Sequence, residues 1–286
     1  MARISKAIIP VAGYGTRRLP MTKAIEKSML PIGDRPLVDY AVSECIKAGI
    51  KDIYFVINKT LGAQAQIETY YGENALLTEF LEARNASEKL AKLKTAPEDV
   101  RFHYIVQDPN AAYGTAVPVA LFMAEVAAGK IGLSEGESVA FANGDDFFWD
   151  GGKTSEMAEF VSQIKDGEAA IIGVEYPKEQ IPNFGMIENG GGLMSGLVEK
   201  PSVDKVTSTL INVNRFVLSP ELLEEIVSYV ERNNFSPLEQ EYMITDPILD
   251  FVKKGNKVRV IKAKSEWLDG GSLEGWFKAN RVVLGK

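Results

Sequence analysis

The stretch Ala7-Ile8-Ile9-Pro10-Val11-Ala12-Gly13-Tyr14-Gly15-Thr16-Arg17-Arg18-Leu19-Pro20 sets two glycines directly behind a short apolar run. The run reads as a strand, Ala7–Val11, and glycines two apart at its carboxyl end let the backbone approach a phosphate closely. A dinucleotide-binding loop requires a third glycine three residues on, but position 18 is arginine. The Gly-Lys-Ser/Thr ending of a nucleoside-triphosphatase loop is also absent. In their place the chain carries a cation set, Arg17, Lys23 and Lys27. Backbone N–H donors beside guanidinium and ammonium groups suit a polyphosphate tail. The plainer alternative is a solvated basic loop. Leu19, Met29, Leu30 and Ile32 weigh against it, because they tether the segment to a core.

Outward from this loop, strand and helix patterns alternate. Ile53–Ile57, Phe102–Val106 and Val139–Ala142 read as strands by their β-branched and aromatic content. Helical spacing marks a helix from Leu37 that ends near Gly49, then Leu61–Tyr70, Leu76–Leu93 and Thr115–Ala127. Such alternation predicts a doubly wound α/β core with a mostly parallel sheet. Past Gly144 the pattern predicts a helix at Glu156–Ile164, a strand at Ala169–Val174 and a hairpin over Gly185–Lys200 turning at 189–192. A strand at Leu210–Leu218 comes next, then helices Pro220–Arg232 and Tyr242–Lys254, a strand Val258–Ile261 and a helix Leu273–Leu284. These form a smaller α/β extension of the same single domain, 1–286, with the parts meeting near 150.

Composition narrows the function. The 286 residues are 45% hydrophobic and 25% charged, with a net charge of −7, which argues against nucleic-acid and anionic-membrane partners. Cys45 is the only cysteine, so no internal disulfide exists, and no Cys/His ligand cluster is present. The opening residues lack a signal-peptide pattern, and no apolar run reaches the roughly 18 residues of a membrane span. A cytoplasmic setting is expected.

The segment VAGYGTRRLPMTKAIEKSMLPIGDRPLVDY resembles the signature of the sugar nucleotidyltransferases. It is most similar to the bacterial UTP–glucose-1-phosphate uridylyltransferase branch, by Thr22-Lys23-Ala24 and the helical insertion around 72–95. Val198-Glu199-Lys200-Pro201, Arg215–Ser219 and Glu241 with Thr245-Asp246 extend the likeness over nearly the whole chain. The resemblance implies a Rossmann-like sheet with a sugar-binding extension. It implies Mg²⁺-dependent transfer of a uridylyl group from UTP to glucose 1-phosphate, releasing pyrophosphate, by a homodimer or homotetramer. Thymidylyl or cytidylyl transfer to a hexose 1-phosphate, or a non-catalytic nucleotide-sugar sensor, are the alternatives.

Nucleotidyl transfer needs in-line placement and charge neutralisation more than an activated side chain, since a sugar phosphate is already nucleophilic. His103 therefore reads as a strand residue and Cys45 as core. Asp145 and Asp146 lie just after the strand Val139–Ala142; one aspartate there is often only a turn former, but two suggest a cation site. Asp269, before two glycines, is a turn residue by default. The family pattern makes Asp145 and Asp269 the Mg²⁺ ligands and Arg17 and Lys27 the phosphate cations. It assigns the nucleotide to Ala12, Gly13, Gly15, Gln107, Ala112 and Gly114. It assigns the sugar phosphate to Gly185, Glu199, Lys200, Asn212 and Val213, although an exposed Glu-Lys pair at a strand end is common. Four positions depart from the pattern: Glu26 stands for proline, Ala112 and Asn214 for glycine, and Thr115 for histidine.

Overall fold

The computed structural model describes residues 2–58, 62–108, 114–233 and 241–285. The first part runs β1 (Lys6–Val11), β2 (Pro31–Ile32), β3 (Arg35–Pro36), α1 (Leu37–Lys47), β4 (Asp52–Asn58) and α2 (Ala63–Tyr71). It continues through α3 (Ala75–Glu82), α4 (Ser87–Ala91), β5 (Arg101–Gln107), α5 (Ala116–Ala127) and β6 (Val139–Ala142). The second part runs β7 (Asp146–Trp149), α6 (Glu156–Ser162), β8 (Ala169–Glu175), β9 (Gly185–Gly190), β10 (Leu193–Glu199) and β11 (Leu210–Leu218). It ends with α7 (Pro220–Arg232), α8 (Thr245–Lys253), β12 (Val258–Lys262), β13 (Glu266–Asp269) and α9 (Leu273–Val283).

Continuous apolar strands demand cover on both faces, and the packing supplies it. In β1, Ile9 joins a core with Val38 and Val42 of α1, Ile67 of α2 and Phe160 of α6. Its neighbour Ile8 points the other way, into a core with Phe122 of α5, Leu222 and Ile226 of α7 and Ile248 of α8. A third cluster, Ile32, Leu37, Tyr40, Phe147, Leu268 and Ala279, lies beneath α9. Phe55 and Phe141 are fully buried; truncating either to alanine is worth about 3–5 kcal/mol of stability.

The main sheet has the order β5-β4-β1-β6-β11-β8-β12-β10-β9. Its first four strands are parallel, and β8 pairs with β12 in the same sense. Strand β11 enters antiparallel between β6 and β8, so the sheet is mixed, with the parallel pattern confined to its two blocks. Strand β9 pairs with both β10 and β11, which closes the last five strands into a ring.

Local differences have local causes. The helix expected over 76–93 is two helices, broken where Asn85 takes φ 53, a conformation asparagine tolerates and helices exclude. The helix expected from Tyr242 begins at Thr245. Asp146 does not sit in a free loop: it opens β7, which pairs antiparallel with β13 so that Asp146 faces Asp269. The two aspartates of the expected cation site, Asp145 and Asp269, are thus joined by a ribbon.

Candidate active site

In a sheet of this kind the loops beyond the carboxyl ends of the parallel strands are free to bind ligand. Here the loops after β1, β4, β5 and β6 surround a cavity of about 580 Å³, floored by the turn after β13. Ala12, Gly13, Gly15, Arg17 and Lys27 line one wall. Gly15 has φ 61, and its carbonyl accepts from the Thr22 hydroxyl at 2.8 Å and from the Arg18 N–H at 2.8 Å. A Cβ there would stand 2.9 Å from the Thr22 methyl carbon, so glycine is required on both counts. Arg17 projects from the exposed side of this turn, whereas Lys23 is exposed and lies outside the lining residues.

Lys27 crosses the cavity mouth to Asp145, with Nζ 2.6 Å from Oδ2. The proximity of Asp145 raises the Lys27 ammonium above its ordinary value, against the opposing effect of burial. Burial disfavours charge on Asp145, but Lys27 and Arg215 outweigh it and hold that carboxyl below its ordinary value. Both partners are therefore charged at neutral pH.

Asp145 and Asp269 meet across Gly271. A Cβ at Gly271 would sit 2.8 Å from Asp145 Oδ2 and 3.2 Å from Asp269 Oδ1. The two oxygens are thus separated by no more than the sum of those distances, and only a hydrogen-sized residue leaves the space between them open. Asp269 is held by its own turn: Oδ1 accepts from Gly271 N–H at 2.8 Å, and Oδ2 accepts from the Ser272 hydroxyl and, at 3.3 Å, from its N–H. Gly270 N–H donates to the Asp145 carbonyl at 2.9 Å, closing the bracket. Asp269 Oδ1 and the Asp145 carboxylate retain lone pairs beyond these bonds, so the pair suits a hard cation with few protein ligands. Among the described residues no group of three or more His, Cys, Asp or Glu forms a metal site.

Under the bracket lies Arg215, fully buried. Its Nη2 donates to the Asp146 carbonyl at 2.8 Å, Nη1 stands 2.8 Å from Asp146 Oδ1, and Nε is 3.9 Å from Glu44. Burial pushes both carboxyls up to about 7 despite the guanidinium. Asp146 points into this buried pair rather than into the cavity, while its neighbour Asp145 lines it.

At the far end, Gln107 closes β5 and lines the cavity together with Gly114, Thr115 and Glu241. Thr115 does not point a polar group at open space: its hydroxyl accepts from Ile244 N–H at 2.7 Å, and Ala116 N–H donates to the Tyr242 carbonyl at 3.1 Å. Ala112 lies outside the described residues.

The expected sugar residues form a separate group. Gly185 pairs in register with both Glu199 and Asn212. The Val213 side chain is buried in the core. Lys200 is exposed at φ 44 and Asn214 has φ 51, in a bulge where β11 slips against β8. None of the five expected sugar residues lines the cavity. Residues with no role in the sequence reading also emerge: Arg18, Arg215, Gly271 and Ser272. The only signals for them are the doubled arginine at 17–18, the Arg215 of a motif, and the Gly-Gly-Ser run after Asp269.

The nucleotidyl transferase family model matches residues 6–285. The UTP–glucose-1-phosphate uridylyltransferase of Bacillus subtilis is 34% identical over 78% of this chain and 73% of its own. The enzyme of the same name from Haemophilus ducreyi is 30% identical over 96% and 91%. A UTP-bound UGPase from Acinetobacter baumannii superposes with a TM-score of 0.80 at 27% identity, covering 98% of this chain and 92% of that one. A UDP-glucose pyrophosphorylase complexed with UDP-glucose gives 0.76 at 25%, covering 100% and 99%. Matched from its first strand through its last helix, this chain belongs to the nucleotidyl transferase family.

Proposed function

We propose that the protein transfers a uridylyl group from UTP to glucose 1-phosphate, giving UDP-glucose and pyrophosphate. The observation that carries this is the meeting of Asp145 and Asp269 across Gly271, opposite a glycine loop bearing Arg17 and Lys27. The names of the related enzymes and the UTP and UDP-glucose bound by the related structures support the choice of substrates.

A phosphate oxygen of the sugar phosphate attacks the α-phosphorus of the nucleotide and forms the new P–O bond. The bond from that phosphorus to the α–β bridging oxygen breaks, and its electron pair leaves with pyrophosphate. No proton need be removed first, so the chemistry calls on neither His103 nor Cys45. Gly13 and Gly15 present backbone N–H groups to the triphosphate, and Gln107, Ala112 and Gly114 receive the base. Arg17 clamps the β- and γ-phosphates, and Lys27 offsets charge growing on the reacting phosphate. Gly185, Glu199, Lys200, Asn212 and Val213 hold the sugar phosphate, with Glu199 accepting from hydroxyls and Lys200 facing the phosphate. Asp145 and Asp269 would hold Mg²⁺, which supplies charge neutralisation at the α-phosphate.

This divides the chain into a nucleotide part, about 1–150, and a sugar part. Among the described residues no helix is long and apolar enough to cross a membrane. A homodimer or homotetramer in the cytoplasm is the assembly we expect, with Leu273 and Phe277 as exposed apolar positions suited to a subunit contact. A pyrophosphate-release panel crossing four nucleoside triphosphates with several sugar 1-phosphates tests the reading. UTP with glucose 1-phosphate is expected to exceed every other pair by about tenfold or more in kcat/KM. Equal rates with UTP and dTTP would overturn the uridylyl assignment, and no pyrophosphate with any pair would overturn the transferase.

A further inference from the structure

Arg18 has only 4% of its surface exposed, although it sits beside the exposed Arg17 in a loop at the cavity wall. Burying a guanidinium costs several kcal/mol unless partners compensate it. Its partners are not carboxylates in contact. Nη1 donates to the Ser272 carbonyl at 2.8 Å and reaches the Gly270 carbonyl at 3.5 Å, and the guanidinium lies 5.1 Å from the Trp276 ring centre. Every one of these groups belongs to the turn after Asp269 or to the first turn of α9. Nη2 is buried with no hydrogen-bond partner, an imperfection that a purely structural apolar residue would avoid.

Ser272 is itself the second holder of Asp269 and the cap of α9, accepting from Gly275 N–H at 3.1 Å. Helix α9 also grips the far end of the phosphate loop. Trp276 Nε1 donates to the Pro31 carbonyl at 2.9 Å, and Asn280 Oδ1 accepts from Gly33 N–H at 2.9 Å. The loop from Ala12 to Gly33 is thus tied at Arg18 to the turn that joins Asp269 to α9, and at Pro31 and Gly33 to α9 itself.

We infer that Arg18 is a positioning residue that couples the two halves of the site: through Ser272 and Trp276 it makes the glycine loop and the Asp269 carboxylate move as one body. Occupation of the loop by a triphosphate then sets Asp269 for the cation, and the cation in turn stiffens the loop. This coupling rests on the proposed nucleotide site. Arg18 borders the cavity as Arg17 does, but this coupling needs no contact between Arg18 and substrate.

The test is UTP binding, measured by calorimetry without sugar phosphate, in the presence of Mg²⁺ and again in EDTA. Because Mg²⁺ also complexes free UTP, the change in the ratio of the two dissociation constants from wild type to variant measures the coupling. Arg18→Met keeps the unbranched stem of the side chain but removes the guanidinium, and with it both the donor to Ser272 and the group over Trp276. It is expected to bind UTP in EDTA within about twofold of the wild type, while the tightening produced by Mg²⁺ shrinks roughly fivefold or more. In turnover its kcat should fall more than its KM for UTP rises. A folded Arg18→Met with wild-type coupling overturns the inference. Should that variant not fold, Trp276→Leu, which removes the ring under Arg18, decides the matter: a reduced ratio supports the tie and an unchanged ratio overturns it. If the wild type itself does not bind UTP, the nucleotide reading fails, a result the ratio cannot mimic.

Discussion

The proposed phosphate end and the proposed sugar end of this molecule are built on opposite plans. At the phosphate end four groups are braced: Lys27 against Asp145, Asp269 within its turn, Arg18 against the turn before α9, Arg215 under Asp146. At the sugar end, the strand register places Gly185, Glu199 and Asn212 together, and two side-chain-bearing residues, Lys200 and Asn214, hold left-handed backbone. Non-glycine residues in that region are strained and cluster at functional sites. The phosphate end stores its order in hydrogen bonds and ion pairs. The sugar end stores it in backbone conformation. A reaction that depends on fixed charge calls for the first, and a pocket that must discriminate among hydroxyls is served by the second.

Breaking the braced end should have the largest effect. Asp145→Asn is expected to lower kcat by at least about a hundredfold while circular dichroism and melting temperature stay near those of the wild type; wild-type turnover would remove Asp145 from the site. Lys200→Met attacks the other plan. It should raise KM for glucose 1-phosphate by about tenfold and leave UTP affinity in calorimetry unchanged, so a parallel loss of UTP binding would show that the two ends are not separate.

Burial pushes the Glu26 carboxyl up to about 7, with Lys27 pulling it the other way. Its folded value lies above the unfolded one, so the folded state binds the extra proton. Stability is therefore lost as pH rises from the unfolded value, near 4.5, through 7. Glu44 and Asp146 act in the same direction. Glu26→Gln should accordingly raise the unfolding free energy relative to wild type more at pH 8 than at pH 5, by on the order of 2 kcal/mol. A constant difference across that range would show that Glu26 stays ionised. The smallest effect belongs to Asn214. Asn214→Gly is expected to change stability by less than about 0.5 kcal/mol, whereas Asn214→Val should cost about 1–2 kcal/mol in denaturant unfolding.

The contrast also explains how much is legible in the chain itself. Strands β1, β4 and β6 declare themselves because burial on two faces leaves apolar runs that few other structures tolerate, and the edge strand β5 by its aromatic and β-branched residues. The glycine loop, Asp145 and Asp269 are legible because their spacing matches a family pattern. The ribbon of β7 and β13 is not, because Asp146-Phe-Phe-Trp149 becomes a strand only on meeting a partner far along the chain. Arg18 is informative in the sequence only as a missing glycine; its contacts lie 254 positions away. Reversal of β11 is hidden for the same reason, since a strand's apolar pattern carries no sign of its direction. Asn214, a departure from the family glycine, is explained once its φ is known: asparagine is among the few side chains that accept it.

Because the last five strands of the main sheet close on one another, β5 is left as its exposed margin. That border carries Arg101 and His103, both bonded to Asp52 on the neighbouring strand. Charged side chains along such a border hinder a stray chain from adding itself as a further strand. The closure of that ring thus also halves the open edge of the main sheet at which the folded protein could aggregate.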